Sequence, residues 1–155
     1  YSRKELKIMT DDKEIIFREI YRNNVVPIMG FMDMFELIKS KKILVGIASN
    51  AIRKNVKMIL SELKIYEKFD SIICGDEVKR GKPDPEMFDE TINRFNLKKE
   101  ECLIFEDSVE GVSAAVNSRV DVVGITSSTS GEILIDKGCI TTIDNYLNFD
   151  MSIYG

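Results

Sequence analysis

The 155-residue sequence predicts an α/β fold in which a parallel sheet carries helices on both faces. Three observations predict it. Short apolar runs recur along the chain, they alternate with stretches of helical periodicity, and no repeat or low-complexity linker breaks the alternation. Crossovers between parallel strands are right-handed, so the C-terminal strand ends gather along one edge. Open α/β sheets place their ligands there.

The elements follow in order. Asp11 or Asp12 is placed to cap a first helix reaching about Asn23, with Glu14 spaced for a capping box on Asp11. Ile16, Phe17, Ile20 and Tyr21 supply its apolar stripe, and Pro27 and Gly30 break it. Phe31, Met34, Phe35, Leu37 and Ile38 then recur at helical spacing. Ile43 to Ala48 is continuously apolar, the pattern of a strand covered on both faces. A helix over Arg53 to Leu63 and a strand ending Ser71 to Cys74 follow. Asp84 and Pro85 read as an N-cap and a first-position proline, opening a helix to about Phe95. Cys102 to Phe105 is a third strand, Ser108 caps the next helix, and Val120 to Ile125 is a fourth strand. A helix over Ser130 to Lys137 and a short strand over Ile140 to Ile143 complete the reading. This is a Rossmann-like, three-layer arrangement around one core.

Composition narrows the function. Apolar residues make up 44 % and charged residues 31 %, as in an ordinary globular domain. A net charge of −4 argues against nucleic acid and anionic membranes, which reward basic patches. No apolar run is long enough to span a bilayer, and the opening Tyr-Ser-Arg-Lys-Glu-Leu-Lys has no signal-peptide core. Cys74, Cys102 and Cys139 are far apart and lie in or beside apolar runs, so they read as free thiols in a reducing compartment, the cytoplasm. Histidine is absent, which excludes a Ser-His-Asp triad, a Cys-His pair and histidine-ligated zinc. Chemistry must rest on carboxylates, hydroxyls, lysine and metal.

Three polar sites fall at strand ends. Ser49 and Asn50 follow the run ending at Ala48; their hydroxyl and amide can bond phosphate oxygens, though Ser-Asn is also a common turn pair. Lys82, within Gly81-Lys82-Pro83-Asp84-Pro85, can set a fixed positive charge against a phosphoryl group, though loop lysines are usually just solvated. Glu106 and Asp107 are adjacent carboxylates leaving the run Cys102 to Phe105. They suit oxygen-only ligation of Mg²⁺, and a solvated turn with a helix cap is the plain alternative. Each signal is weak alone. In this order, each after its own strand, they supply what phosphoryl transfer requires: charge neutralisation, a metal and donors for equatorial oxygens.

At these residues the sequence resembles the haloacid dehalogenase-like hydrolases, in the subfamily of β-phosphoglucomutase and small sugar-phosphate phosphatases. GIASN resembles the second family motif, whose serine binds the phosphoryl group; here that is Ser49. GDEVKRGKPDPEMF is similar to the third motif region, which makes Lys82 its lysine, and LIFEDSVEGVSAA to the fourth, which makes Glu106 and Asp107 the Mg²⁺-binding pair. The resemblance runs from about Val26 onward. It implies residues 1–25 as a remnant of a helical cap and 26–155 as the α/β core. The family's first motif, DxDGT, holds a nucleophilic aspartate and an acid/base aspartate on a central strand between those ending at Ser49 and Glu106. No stretch of the 155 residues matches it. Asn117-Ser118-Arg119 also stands where the family usually has a glycine turn. The resemblance therefore implies a phosphatase or phosphomutase core lacking its central first strand and inactive on its own. Its substrate would be a small phosphorylated metabolite, with sugar phosphates among the candidates. Its open sheet edges would take up a missing N-terminal segment or associate with each other. A catalytically dead relic or a binding module of the same fold is the alternative. A receiver-like signalling domain fits poorly, because it needs a strand-end aspartate and would not carry GKPDP.

Overall fold

A computed structural model describes residues 2–147 and 149–150. The chain runs α1 (Arg3–Tyr21), α2 (Phe31–Ser40), β1 (Gly46–Ser49), α3 (Arg53–Glu62), β2 (Ser71–Cys74), α4 (Glu86–Phe95), β3 (Leu103–Glu106), α5 (Val109–Ser118), β4 (Asp121–Ile125), α6 (Gly131–Lys137) and β5 (Thr141–Ile143). Short 3-10 turns at Tyr66–Lys68, Gly75–Glu77 and Lys99–Glu101 have no counterpart in the sequence reading.

The expected start of α1 is wrong. Ser2 caps the helix: Glu5 N donates to Ser2 Oγ at 3.2 Å, and Ser2 N donates to the Glu5 carboxylate at 2.7 Å. This is a Ser-x-x-Glu capping box, nine residues before the expected box at Asp11. The strand after α2 is also shorter than expected. Ile43 and Leu44 lie outside it, 42 % and 44 % exposed, and the ladder begins at Gly46. Asp70 anchors the approach, accepting from Val45 N at 2.8 Å and donating its own N–H to Val45 O at 2.9 Å.

The parallel strands form two separate sheets, β1-β2 and β3-β4-β5. Gly46 to Ser49 pair with Ser71 to Cys74, and Leu103 to Glu106 pair with Asp121 to Gly124. Among the described residues no ladder joins β1 to β3. Burial agrees with an open flank there. The last four residues of β4 are buried, whereas β1 and β3 are mostly half-buried.

Two apolar clusters cover the faces. Phe35, Val56, Leu60, Ile65 and Cys74 pack with Val45 and Ile47 on the α2/α3 side. Phe88, Val112, Ala114, Ala115, Val122 and Leu134 pack on the other, with Ala48 of β1 and Ile104 of β3 against them. That second cluster spans both half-sheets. Gly46 lets α4 approach, since a Cβ there would meet the Thr91 methyl at 2.7 Å. A second bridge is aromatic: Tyr146 lies 5.7 Å from Phe31 at the start of α2 and 5.6 Å from Phe105 of β3. Fixed by packing alone, these bridges hold the strand ends of both sheets on one molecule.

Candidate active site

The third bridge between the half-sheets is polar and lies at the strand ends. Lys82 Nζ forms an ion pair with Glu106 Oε1, and both side chains are 9 % exposed. The Lys82 ammonium also sits 5.0 Å from the centre of the Phe88 ring. A charge buried to this extent is tolerated only when paired. Glu106 is seated closely. Ser108 Oγ lies 3.4 Å from Glu106 Oε2, and Gly111, in the first turn of α5, leaves room for the carboxylate that a Cβ would occupy. Ser108 doubles as the helix cap, accepting from Gly111 N at 3.0 Å.

Asp107 points to a different neighbourhood. Its Oδ2 accepts from Ser127 Oγ and Ser128 Oγ, each at 3.0 Å, and Ser128 Oγ also lies 2.9 Å from the Asp107 carbonyl oxygen. The hydroxyls follow β4 and therefore sit on the same sheet edge. Among the described residues no hydrogen bond reaches Oδ1. Ser49, half-buried at the end of β1, accepts from Ala51 N at 3.2 Å. Asn50 directs its amide to the Lys82 backbone, accepting from Lys82 N at 2.8 Å and donating to Lys82 O at 3.3 Å.

The structure thus links Asn50, Lys82 and Glu106 by direct contact and sets Ser49 and Asp107 at the flanking strand ends. The acidic pair divides its work: Glu106 is committed to Lys82, while Asp107 engages Ser127 and Ser128 through one carboxylate oxygen. As hard oxygen donors both fit a small divalent cation, with Asp107 the better placed. Among the described residues no third carboxylate, cysteine or histidine completes a metal cluster. Sequence reasoning missed Ser127, Ser128, Gly111 and Tyr146. The run Thr126-Ser127-Ser128-Thr129 directly after a strand is the same signal that picked out Ser49, and could have been read. Tyr146 gives no local signal. Its hydroxyl is pushed up to about 12 by burial first, then by the negative charges of Asp107 and Glu106.

The sequence profile of the haloacid dehalogenase-like hydrolases matches residues 2–125, most of the chain. The chain belongs to this family. The match takes in α1, which the motifs alone left outside. Within the haloacid dehalogenase-like hydrolases, the chain is 30 % identical over 139 residues to a phosphorylated carbohydrates phosphatase of Thermotoga maritima, covering 88 % of this chain and 62 % of that one. Two solved structures share the fold. A HAD hydrolase, family IA, variant 3, from Entamoeba histolytica superposes with a TM-score of 0.89 at 24 % identity, over 97 % of this chain and 70 % of that one. A β-phosphoglucomutase from Clostridium difficile superposes with a TM-score of 0.79 at 25 % identity, over 99 % and 66 %. The chain therefore spans less than two thirds of the length of the curated phosphatase it matches.

Proposed function

We propose that this chain carries the charge-neutralising and metal-holding part of a phosphoryl-transfer site that acts on a small phosphorylated metabolite, sugar phosphates being the first class to test. The observation that carries the reading is the buried Lys82–Glu106 pair at the strand ends, between Ser49 and Asp107. A fixed ammonium there can meet the charge of a phosphoryl oxygen, and the Ser49 hydroxyl can donate to another. Asp107, with Glu106 beside it, would hold Mg²⁺, which supplies Lewis-acid neutralisation of the phosphoryl charge. The covalent step needs a nucleophile that none of these groups provides, and the family resemblance gives that part to an aspartate on a strand. The edges of β1 and β3, unpaired with each other among the described residues, support such a strand as their partner. The free thiols Cys74, Cys102 and Cys139 support a reducing compartment such as the cytoplasm.

The test compares the 155-residue chain alone with the same chain fused behind a segment bearing a DxDGT strand. Phosphate release is followed from sugar phosphates and p-nitrophenyl phosphate, with Mg²⁺ or with EDTA. The chain alone should give no turnover above background, and the fusion should give EDTA-sensitive turnover. In the fusion, Lys82→Ala and Asp107→Ala should each lower kcat by about two orders of magnitude or more. No turnover in a folded fusion would favour the relic or binding-module reading. Turnover by the chain alone, abolished at a carboxylate other than Glu106 or Asp107, would overturn the proposal.

A further inference from the structure

Asn50 has the chemistry to bind a phosphate oxygen, yet its amide is turned elsewhere. Oδ1 accepts the Lys82 N–H at 2.8 Å and Nδ2 donates to the Lys82 carbonyl at 3.3 Å. A peptide N–H can only donate, so the contact at Lys82 N fixes which end of the amide is oxygen. One side chain therefore grips both polar atoms of a single residue's backbone, as a neighbouring strand would. The surroundings are cut to fit. A Cβ on Gly81 would sit 2.7 Å from Asn50 Oδ1, and one on Gly75 would collide with the Asn50 carbonyl oxygen. Asn50 is itself exposed, so water could satisfy its amide. The two contacts are therefore not forced by burial; they specify the position of Lys82.

We infer that Asn50 is a positioning residue: it fixes the Lys82 backbone so that the flexible lysine side chain reaches Glu106, and it does not itself hold the phosphoryl group. A lysine side chain has many rotamers, and its ammonium is accurately placed only when the backbone beneath it is fixed. The clamp also explains how the two half-sheets come to share one site. Asn50 leaves β1, Lys82 lies in the loop between β2 and α4, and Glu106 ends β3, so the chain of contacts crosses the open flank. The importance of Lys82 to catalysis rests on the proposed function; the clamp itself does not.

The test therefore has one readout that needs no activity. The 155-residue chain is labelled with trace acetic anhydride and each lysine's rate is read by mass spectrometry. A paired, buried Lys82 reacts slowly. In Asn50→Ala its rate should rise at least about fivefold while the other lysines stay unchanged, because the loop opens locally. Asn50→Asp keeps the acceptor for the Lys82 N–H and should hold the rate within about twofold of the parent, a rescue that a general packing role would not give. If Lys82 reacts at the parent rate in Asn50→Ala, or if all lysines accelerate together, the inference is overturned. In an active fusion, Asn50→Ala should lower kcat about tenfold with KM nearly unchanged, and should add nothing to Lys82→Ala. A raised KM with unchanged kcat would instead make Asn50 a phosphate ligand. Absence of turnover in the fusion counts against the proposed function alone, since the labelling result stands without it.

Discussion

Arg119 ends α5 at φ 60° and ψ 42°, a left-handed conformation that crowds the Cβ of any L-residue. Two other helices end the same way with better-suited residues. Asn96 closes α4 at φ 54°, and Gly138 closes α6 at φ 116°. Asparagine tolerates this region and glycine is at ease in it, so arginine is the costly member of the three. The backbone N–H of Arg119 still caps the helix, reaching the carbonyls of Ala115 and Val116, while its side chain is exposed. Two magnitudes compete in a change to glycine. Relief of the left-handed penalty gains about 1–2 kcal/mol, and the extra freedom of glycine in the unfolded chain costs roughly 0.5–1 kcal/mol. Arg119→Gly should therefore stabilise the protein by about 0.5–1 kcal/mol, read as a shift in urea midpoint at constant slope. A lower midpoint would mean that the arginine side chain does more than the structure attributes to it.

Among the helices, α1 is the one least committed to the core. Its Leu6, Met9, Ile16 and Ile20 stay more than half exposed. What docks it is polar: Asn55 of α3, only 4 % exposed, accepts from Arg18 at 2.7 Å and donates to Glu14. Most helical stability in proteins comes from tertiary packing, so the order of α1 depends on such contacts. Asn55→Ala should speed hydrogen exchange of α1 amides about tenfold and leave the sheet amides protected. Equal loosening of α1 and the sheets would show that Asn55 serves the core instead. The same helix marks where sequence reading fails. Ser2-x-x-Glu5 and Asp11-x-x-Glu14 are both capping signatures, and only the second is read from the sequence; the residues between are mostly good helix formers, so the helix runs through it. The apolar runs give β2 at Ser71–Cys74 and β4 at Asp121–Ile125 to within a residue or so, whereas the run Ile43 to Ala48 misplaces the start of β1 by three residues. The placement of Ser49, Glu106 and Asp107 at strand ends, and of Lys82 in a loop after a strand, is legible because apolar runs lead up to each. The Asn50 clamp and the aromatic bridge at Tyr146 are not, because they depend on where distant loops meet.

At the scale of the molecule, two half-sheets are joined by side chains where a ladder would be expected, and Tyr146 is one of the joints. Its hydroxyl is raised from the ordinary value of 10.0 to about 12. Below pH 10 the tyrosine is protonated in folded and unfolded chains alike, and its contribution is complete. Between about pH 10 and pH 12 the unfolded chain loses the proton first, so folded stability drains away as pH rises. The melting temperature should therefore fall more steeply above pH 10 in the parent than in Tyr146→Phe, which keeps the ring contacts and lacks the titrating group. Parallel curves would contradict this. The split sheet has a further consequence, for the order of folding. β1 pairs with β2 and β3 with β4 across single βα crossovers, so each half closes over short stretches of chain. One contact that unites them spans far more: Tyr146, late in the chain, packs against both Phe31 and Phe105. Loop closure over such distances is slow, so each half forms early and the Tyr146 bridge closes last. A strand arriving between them would find both edges already built, and its insertion would be the step that turns two nuclei into one cooperative unit.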